Sequence, residues 1–211
     1  LHVADHGTLL IPSGLTEMHV AELRLGRDAR IAIAPGEQVF HLDVVNGEIA
    51  AGAQISGRGA PGSFLQPAMP GRTLNIRLAS VVTETLLIDA RGGVGAPGYA
   101  GLDGADGKPG GCTWGQASRG HDGLHGGDGQ AGARGGLVRL EVPADFPLQR
   151  LQVRLDGGAG GAAGSGGGAG VGGASKGCWL YSTAHARDGR PGQAGQSGAA
   201  GAAGNLDVVR F

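Results

Sequence analysis

Three groups of residues in this chain have types and spacing that could do chemistry. Ser182, His185 and Asp188 stand three apart, and they are the residue set of a nucleophilic triad. All three fall in one short stretch, however, with no separate elements to hold nucleophile, base and orienting acid in register. Catalysis is therefore not expected there, and the chain reads as non-enzymatic. His121, Asp122, His125 and Asp128 are metal-ligand types at nearly three-residue intervals. Solvated side chains explain them better than a metal site. Gly127-Asp128-Gly129 is like a fragment of a calcium-binding repeat, but that motif needs a period of nine.

The third group is Cys112 and Cys178, the chain's 2 cysteines. A disulfide between them would close a loop of about 65 residues, worth about 4 kcal/mol in the chain-entropy model. It would fit an oxidising setting: extracellular, cell-surface or periplasmic. Two free thiols are the alternative. Both tryptophans sit beside them, in Cys112-Thr113-Trp114 and Cys178-Trp179-Leu180-Tyr181. Aromatic anchors on loops of a rigid scaffold suit recognition. They would equally serve as a small cap core over the disulfide. The candidate binding residues are Trp114, Arg119, Trp179, Leu180, Tyr181 and His185. No catalytic or metal-binding residue is assigned, and no cofactor is expected. The expected partner is a surface receptor, a glycan or another structural protein.

The elements that must position these residues are rich in glycine. Of the 46 glycines, most lie in four blocks with strict three-residue spacing. The blocks run from Gly92 to Gly110, Gly120 to Gly135, Gly158 to Gly173 and Gly189 to Gly204. A period of three matches the left-handed polyproline-II type helix, which has three residues per turn. Bare edges every third residue permit close backbone approach. At about 3.1 Å per residue, each block spans on the order of 50–60 Å. Pro97, Pro109 and Pro191 occupy the third place of a triplet, which marks a place whose amide is not needed for pairing. The third block doubles its glycines and is expected to lie most centrally.

Residues 1–91 read as β structure. Phe40, Leu42 and Val44 alternate with His41 and Asp43; Leu74, Ile76 and Leu78 alternate with Asn75 and Arg77. Similar stretches are 20–25, 30–33, 86–88, 137–142, 150–155 and 206–211. The expected fold is an all-β base, either a sandwich or a short β-solenoid. It carries a bundle of four antiparallel polyglycine-II helices and essentially no α-helix. The base is residues 1–91. The glycine-rich part is 92–204, with helices at about 92–110, 120–136, 157–173 and 189–204. Strands within 137–155 return to the base, and 205–211 adds its final strand.

Phased glycine triplets beside β structure resemble polyglycine-II bundle domains. The likeness covers 92–204 and is architectural. Such domains include the glycine-rich domain of Obg-type GTPases, the receptor-binding tip adhesins of certain tailed phages, and the snow-flea antifreeze protein. The resemblance implies a rigid spacer whose end loops make contact. It does not imply GTPase activity, because Gly104-Ala-Asp-Gly-Lys108-Pro lacks the Walker spacing and its Ser/Thr. A collagen-like trimer would also use the triplet, but these blocks are short, poor in proline and separated by chain reversals.

Composition narrows the remaining options. A net charge of −1 gives no electrostatic footprint for nucleic acid. No apolar run reaches the eighteen or so residues of a membrane span. A chain opening on Leu1 is expected to be a mature or trimmed form. Small residues crowd blocks three and four, among them Ala162, Ser165, Ala194, Ser197, Ala200 and Ala203. That face could bind ice or pack on another subunit, so oligomerisation and assembly into a larger surface or tail structure are further readings. Small residues also simply let neighbouring segments approach.

Overall fold

A computed structural model describes residues 1–113 and 115–211. The chain divides into two compact units. The first holds 1–96, 131–160 and 199–211; the second holds 97–130 and 161–198.

The first unit is a wound pair of parallel sheets. Its strands are β1 (His2–Val3), β2 (Thr8–Ile11), β3 (Glu17–Leu25), β4 (Arg30–Ile33), β5 (Phe40–Ile49), β6 (Ala53–Ser56), β7 (Leu74–Thr83), β8 (Leu86–Asp89), β9 (Leu137–Val142), β10 (Leu151–Arg154) and, after the second unit's β11 (Lys176–Gly177) and β12 (Ser182–Thr183), β13 (Asn205–Arg210). One sheet has the order β1-β3-β5-β7-β9-β13, the other β10-β8-β6-β4-β2. Every pairing within these two sheets is parallel. Successive strands alternate between the sheets, so each pair of strands is one coil of a short solenoid.

The core follows from the alternation read in the sequence. Met18, Leu42, Ile76, Leu140 and Val208 pair in register across one sheet. Leu9, Ile31, Ile55, Ile88 and Val153 pair in register across the other. These columns belong to or pack against one continuous apolar core, and each Å² of apolar surface it removes from water stabilises the fold by roughly 25 cal/mol. Thr8 pairs with Arg30, 22 positions on, and Arg30 with Gln54, 24 positions on. Ala53 pairs with Leu86 after 33 positions and Leu86 with Leu151 after 65. Most of the additional length falls at one corner, between a strand of the five-stranded sheet and the next strand of the six-stranded one.

Arg72 pins that corner. It is fully buried and, among the described residues, has no carboxylate partner. Its guanidinium donates to the carbonyls of Gln38 (3.1 Å), Ala34 (3.0 Å), Ser13 (3.2 Å) and Leu15 (2.9 Å). These carbonyls belong to the same corner of two earlier coils. The guanidinium carbon lies 5.5 Å from the Phe40 ring centroid. Burial lowers the pKa of Arg72. Asp89 is also buried, and burial alone would raise its pKa. The hydrogen bonds from the Arg91 side chain, at 2.9 and 2.8 Å, and from its backbone amide, together with the charges of Arg91 and Arg58, outweigh that and hold it below its ordinary value.

The expected bundle of four antiparallel polyglycine-II helices is not seen. Among the described residues the one helical element is a single 3-10 turn, Leu148–Arg150. The glycine blocks are extended segments whose amides donate outward to neighbouring segments. In the second unit the amides of Gly164, Gly167 and Gly170 donate to Gly127, Leu124 and His121, an antiparallel pairing. Gly98, Gly101 and Gly104 instead donate to Ala162, Ser165 and Gly168, and that pairing is parallel. Nor are the segments four in number. In the first unit, 57–62 and 69–72 join the same kind of network, with Gly62 donating to Val94 and Gly93 to Met69. Alternating hydrophobicity marked the strands but could not tell hairpin from coil. β9 and β10, on either side of the Pro143–Pro147 turn, accordingly lie in different sheets.

Close approach explains the triplet. A Cβ at Gly167 would land on the carbonyl oxygen of Leu102, and one at Gly192 on that of Leu124. Gly177 has open space around its Cβ position. Gly167→Ala is expected to cost about 1–3 kcal/mol, the range for forced overpacking. Gly177→Ala should stay within about 0.5 kcal/mol. Urea denaturation of the two variants checks this; equal midpoints would contradict it.

Candidate functional site

The best-formed candidate surface lies in the second unit, where a disulfide and a small hairpin meet. Cys112 and Cys178 are bonded, with Cα atoms 5.6 Å apart. β11 and β12 pair antiparallel, Lys176 with Thr183 and Gly177 with Ser182. The four-residue turn between them runs Cys178–Tyr181 and closes with the Cys178 amide donating to the Tyr181 carbonyl at 2.7 Å. The Tyr181 hydroxyl donates to the Cys112 carbonyl. Thr183 is buried, and its Oγ1 accepts the Lys176 amide at 3.0 Å. The turn is thus tied by a covalent bond, a hairpin closure and a tyrosine hydroxyl.

What the turn displays is apolar. Trp179 is 97% exposed and Leu180 84%. Tyr181 keeps half of its surface in solvent. Of the two readings of these aromatics, a cap core over the disulfide does not describe Trp179. Trp114 lies outside the described residues. His185 is exposed just beyond β12. Arg119 pairs with Asp122 at 2.5 Å and donates to the Asp188 carbonyl at 3.4 Å.

The triad-like residues are not assembled. Among the described residues no hydrogen bond joins Ser182, His185 and Asp188, and the Asp188 carboxylate instead accepts the Gly172 amide at 2.6 Å. The metal-like set has a different use. Asp122 accepts the Arg190 amide at 2.7 Å, His125 Nδ1 the Gln193 amide at 2.9 Å, and Asp128 the Gln196 amide at 2.7 Å. Asp103 and Asp106 do the same for Gly168 and Val171. These side chains all occupy the third place of a triplet. They accept amides of the adjacent segment that no backbone carbonyl reaches. Acceptance at Nδ1 requires His125 to be neutral with its proton on Nε2.

The first unit carries a polar surface that sequence reasoning passed over. Outward-facing residues of the six-stranded sheet stack in two rows. Glu17, His41, Asn75, Arg139 and Asp207 pair in register in one row, and His19, Asp43, Arg77 and Glu141 in the other. A cleft of about 420 Å³ runs between them. His19 contacts Asp43 at 3.3 Å and Glu17 at 2.8 Å. The hydrogen bond to Asp43, then that to Glu17, raises its pKa above the ordinary 6.5. The polar positions between apolar ones in 17–19, 41–43, 75–77 and 139–141 were the available signal.

No family model, no curated protein and no solved structure matches the chain. No helix is long and apolar enough to cross a membrane among the described residues.

Two measurements follow from this geometry. His19 should titrate above 6.5, and Asp43→Asn should bring its midpoint down, as read from the imidazole proton shifts by NMR. Because the folded pKa is the higher one, His19 favours the fold fully below its unfolded pKa and loses that effect as pH rises through the folded value. An unchanged midpoint would remove Asp43 as the cause. Cys112→Ser with Cys178→Ser should lower unfolding stability by about 2–4 kcal/mol in urea, the usual range for a disulfide closing a long loop. A loss near zero would mean the linkage constrains little.

Proposed function

We propose that the chain is a non-enzymatic surface recognition protein of an oxidising, extracytoplasmic setting. Its second unit presents the Cys178–Tyr181 turn to a receptor or glycan on another surface. The observation that carries this reading is Trp179 at 97% exposure beside Leu180 at 84%, on a turn fixed by the Cys112–Cys178 bond. Leaving a tryptophan in water is costly, and such side chains dominate binding energy where they find a partner pocket. Holding the turn rigid beforehand removes ordering entropy from the binding step. The resemblance of the glycine triplets to tip adhesins of tailed phages supports the same role. The disulfide supports the setting, because such bonds persist where thiols are not kept reduced.

Binding should be measured against glycan arrays and intact cells, with wild-type chain and Trp179→Ala. The variant is expected to keep its melting temperature and to lose about 30-fold in affinity, the scale of a hot-spot residue. Undiminished binding by Trp179→Ala would overturn the assignment of the turn as the contact site.

A further inference from the structure

In the first unit, the outward face of the five-stranded sheet carries a groove of about 430 Å³. Leu10, Ala32, Ser56 and Asp89 pair in register across that sheet. β2 is its edge strand, and Leu10 on it is 75% exposed. Pro12, Ala34 and Pro35 extend the apolar wall. The polar part of the lining is Arg30, Ser56 and Arg58, and no carboxylate lines the groove.

The charge of the two guanidiniums is not balanced where they stand. Asp89 is the acidic residue of that row, and Arg91 holds both of its oxygens, at 2.9 and 2.8 Å. Arg58 approaches it only to 3.8 Å. Among the described residues Arg30 has no carboxylate partner. Its Nη2 donates to Ser56 Oγ at 2.9 Å, and its Nε is buried with no hydrogen-bond partner. A guanidinium left in that state costs stability. An oxyanion supplies what is missing, negative charge and acceptors that match the planar fork of arginine. Ser56 uses its oxygen to accept from Arg30, so its hydroxyl proton remains available to the same anion. The apolar wall calls for a hydrocarbon body behind that head, since apolar lining with a few convergent polar groups is how small-molecule sites are built. We infer that the groove binds an aliphatic carboxylate, with its head against Arg30 and Arg58 and its chain along Leu10, Ala32 and Pro35. This site is separate from the Cys178–Tyr181 turn and stands without the recognition reading.

The test is titration of the full chain with octanoate, acetate and octanol, followed by NMR through backbone amide and arginine Nε–H signals. Octanoate is expected to shift the signals of β2, β4 and Arg58. It should bind at least about ten-fold tighter than acetate, which lacks the chain. It should exceed octanol, which lacks the charge, by at least about the same factor. Arg58→Gln, at an exposed position, should keep the melting temperature and weaken octanoate about ten-fold. Leu10→Asp should weaken it as well, by placing a like charge beside the bound anion. Trp179→Ala should bind octanoate like wild type. The proposal fails if octanoate shifts no signal of the groove, if acetate or octanol binds equally well, if Arg58→Gln binds undiminished, or if Trp179→Ala abolishes binding.

Discussion

The architecture of the glycine-rich segments depends on one constraint: backbones must approach closely enough for amides to reach carbonyls on neighbouring segments. An extended segment makes no hydrogen bonds within itself. Every amide it buries must therefore find a partner sideways. Glycine is the residue whose amide makes most of those bonds, and it is also the position where any Cβ would meet a carbonyl. The two requirements coincide, which is why the triplet is strict. The place after glycine supplies a second set of donors, such as His121 to Ala105 and Leu124 to Leu102. The third place carries proline at Pro97, Pro109 and Pro191, or an acceptor side chain such as Asp122 or Asp128. Each place in the triplet thus has its own hydrogen-bonding duty.

In the first unit the corresponding constraint is register. The inward columns of aliphatic side chains stay aligned only if each coil returns to the same phase, and Arg72 helps to enforce this. One guanidinium collects carbonyls from two corners that would otherwise be unpaired inside the unit. Arginine suits the task because its five donors lie in a fixed planar fork and it stays charged. Longer corners are then tolerated because the pinned coils do not depend on their length.

The strands were legible and their partners were not. Phe40, Leu42 and Val44 announce a half-buried strand from alternation alone, and the same holds for 74–78 and 137–142. A coil repeat of 22 to 24 positions was present between β2, β4 and β6, but the later insertions disperse it. The two cysteines were legible as a pair because no other thiol competes. The exposure of Trp179 was not, since an aromatic beside a cysteine serves a core as well as a contact. The roles of Asp103, Asp122 and His125 were hidden for a different reason. Each is defined by an amide on a segment some 65 positions away. Arg72, between Gly71 and Thr73, reads locally as a solvated turn residue, and only the winding of the coils buries it.

The parallel winding also sets how the molecule must be made. A hairpin can zip from its turn, but β8 cannot gain β10 until Leu86 meets Leu151, 65 positions later. The entropy of closing such loops grows slowly, by only about 0.6 kcal/mol for each doubling of length. Folding rate, by contrast, falls steeply as contacts become less local. The early coils have the shortest returns and are complete once residue 56 has emerged, so synthesis from the amino terminus offers a finished edge for each later strand to join. The order of the insertions, short before long, is therefore an assembly schedule written into the chain.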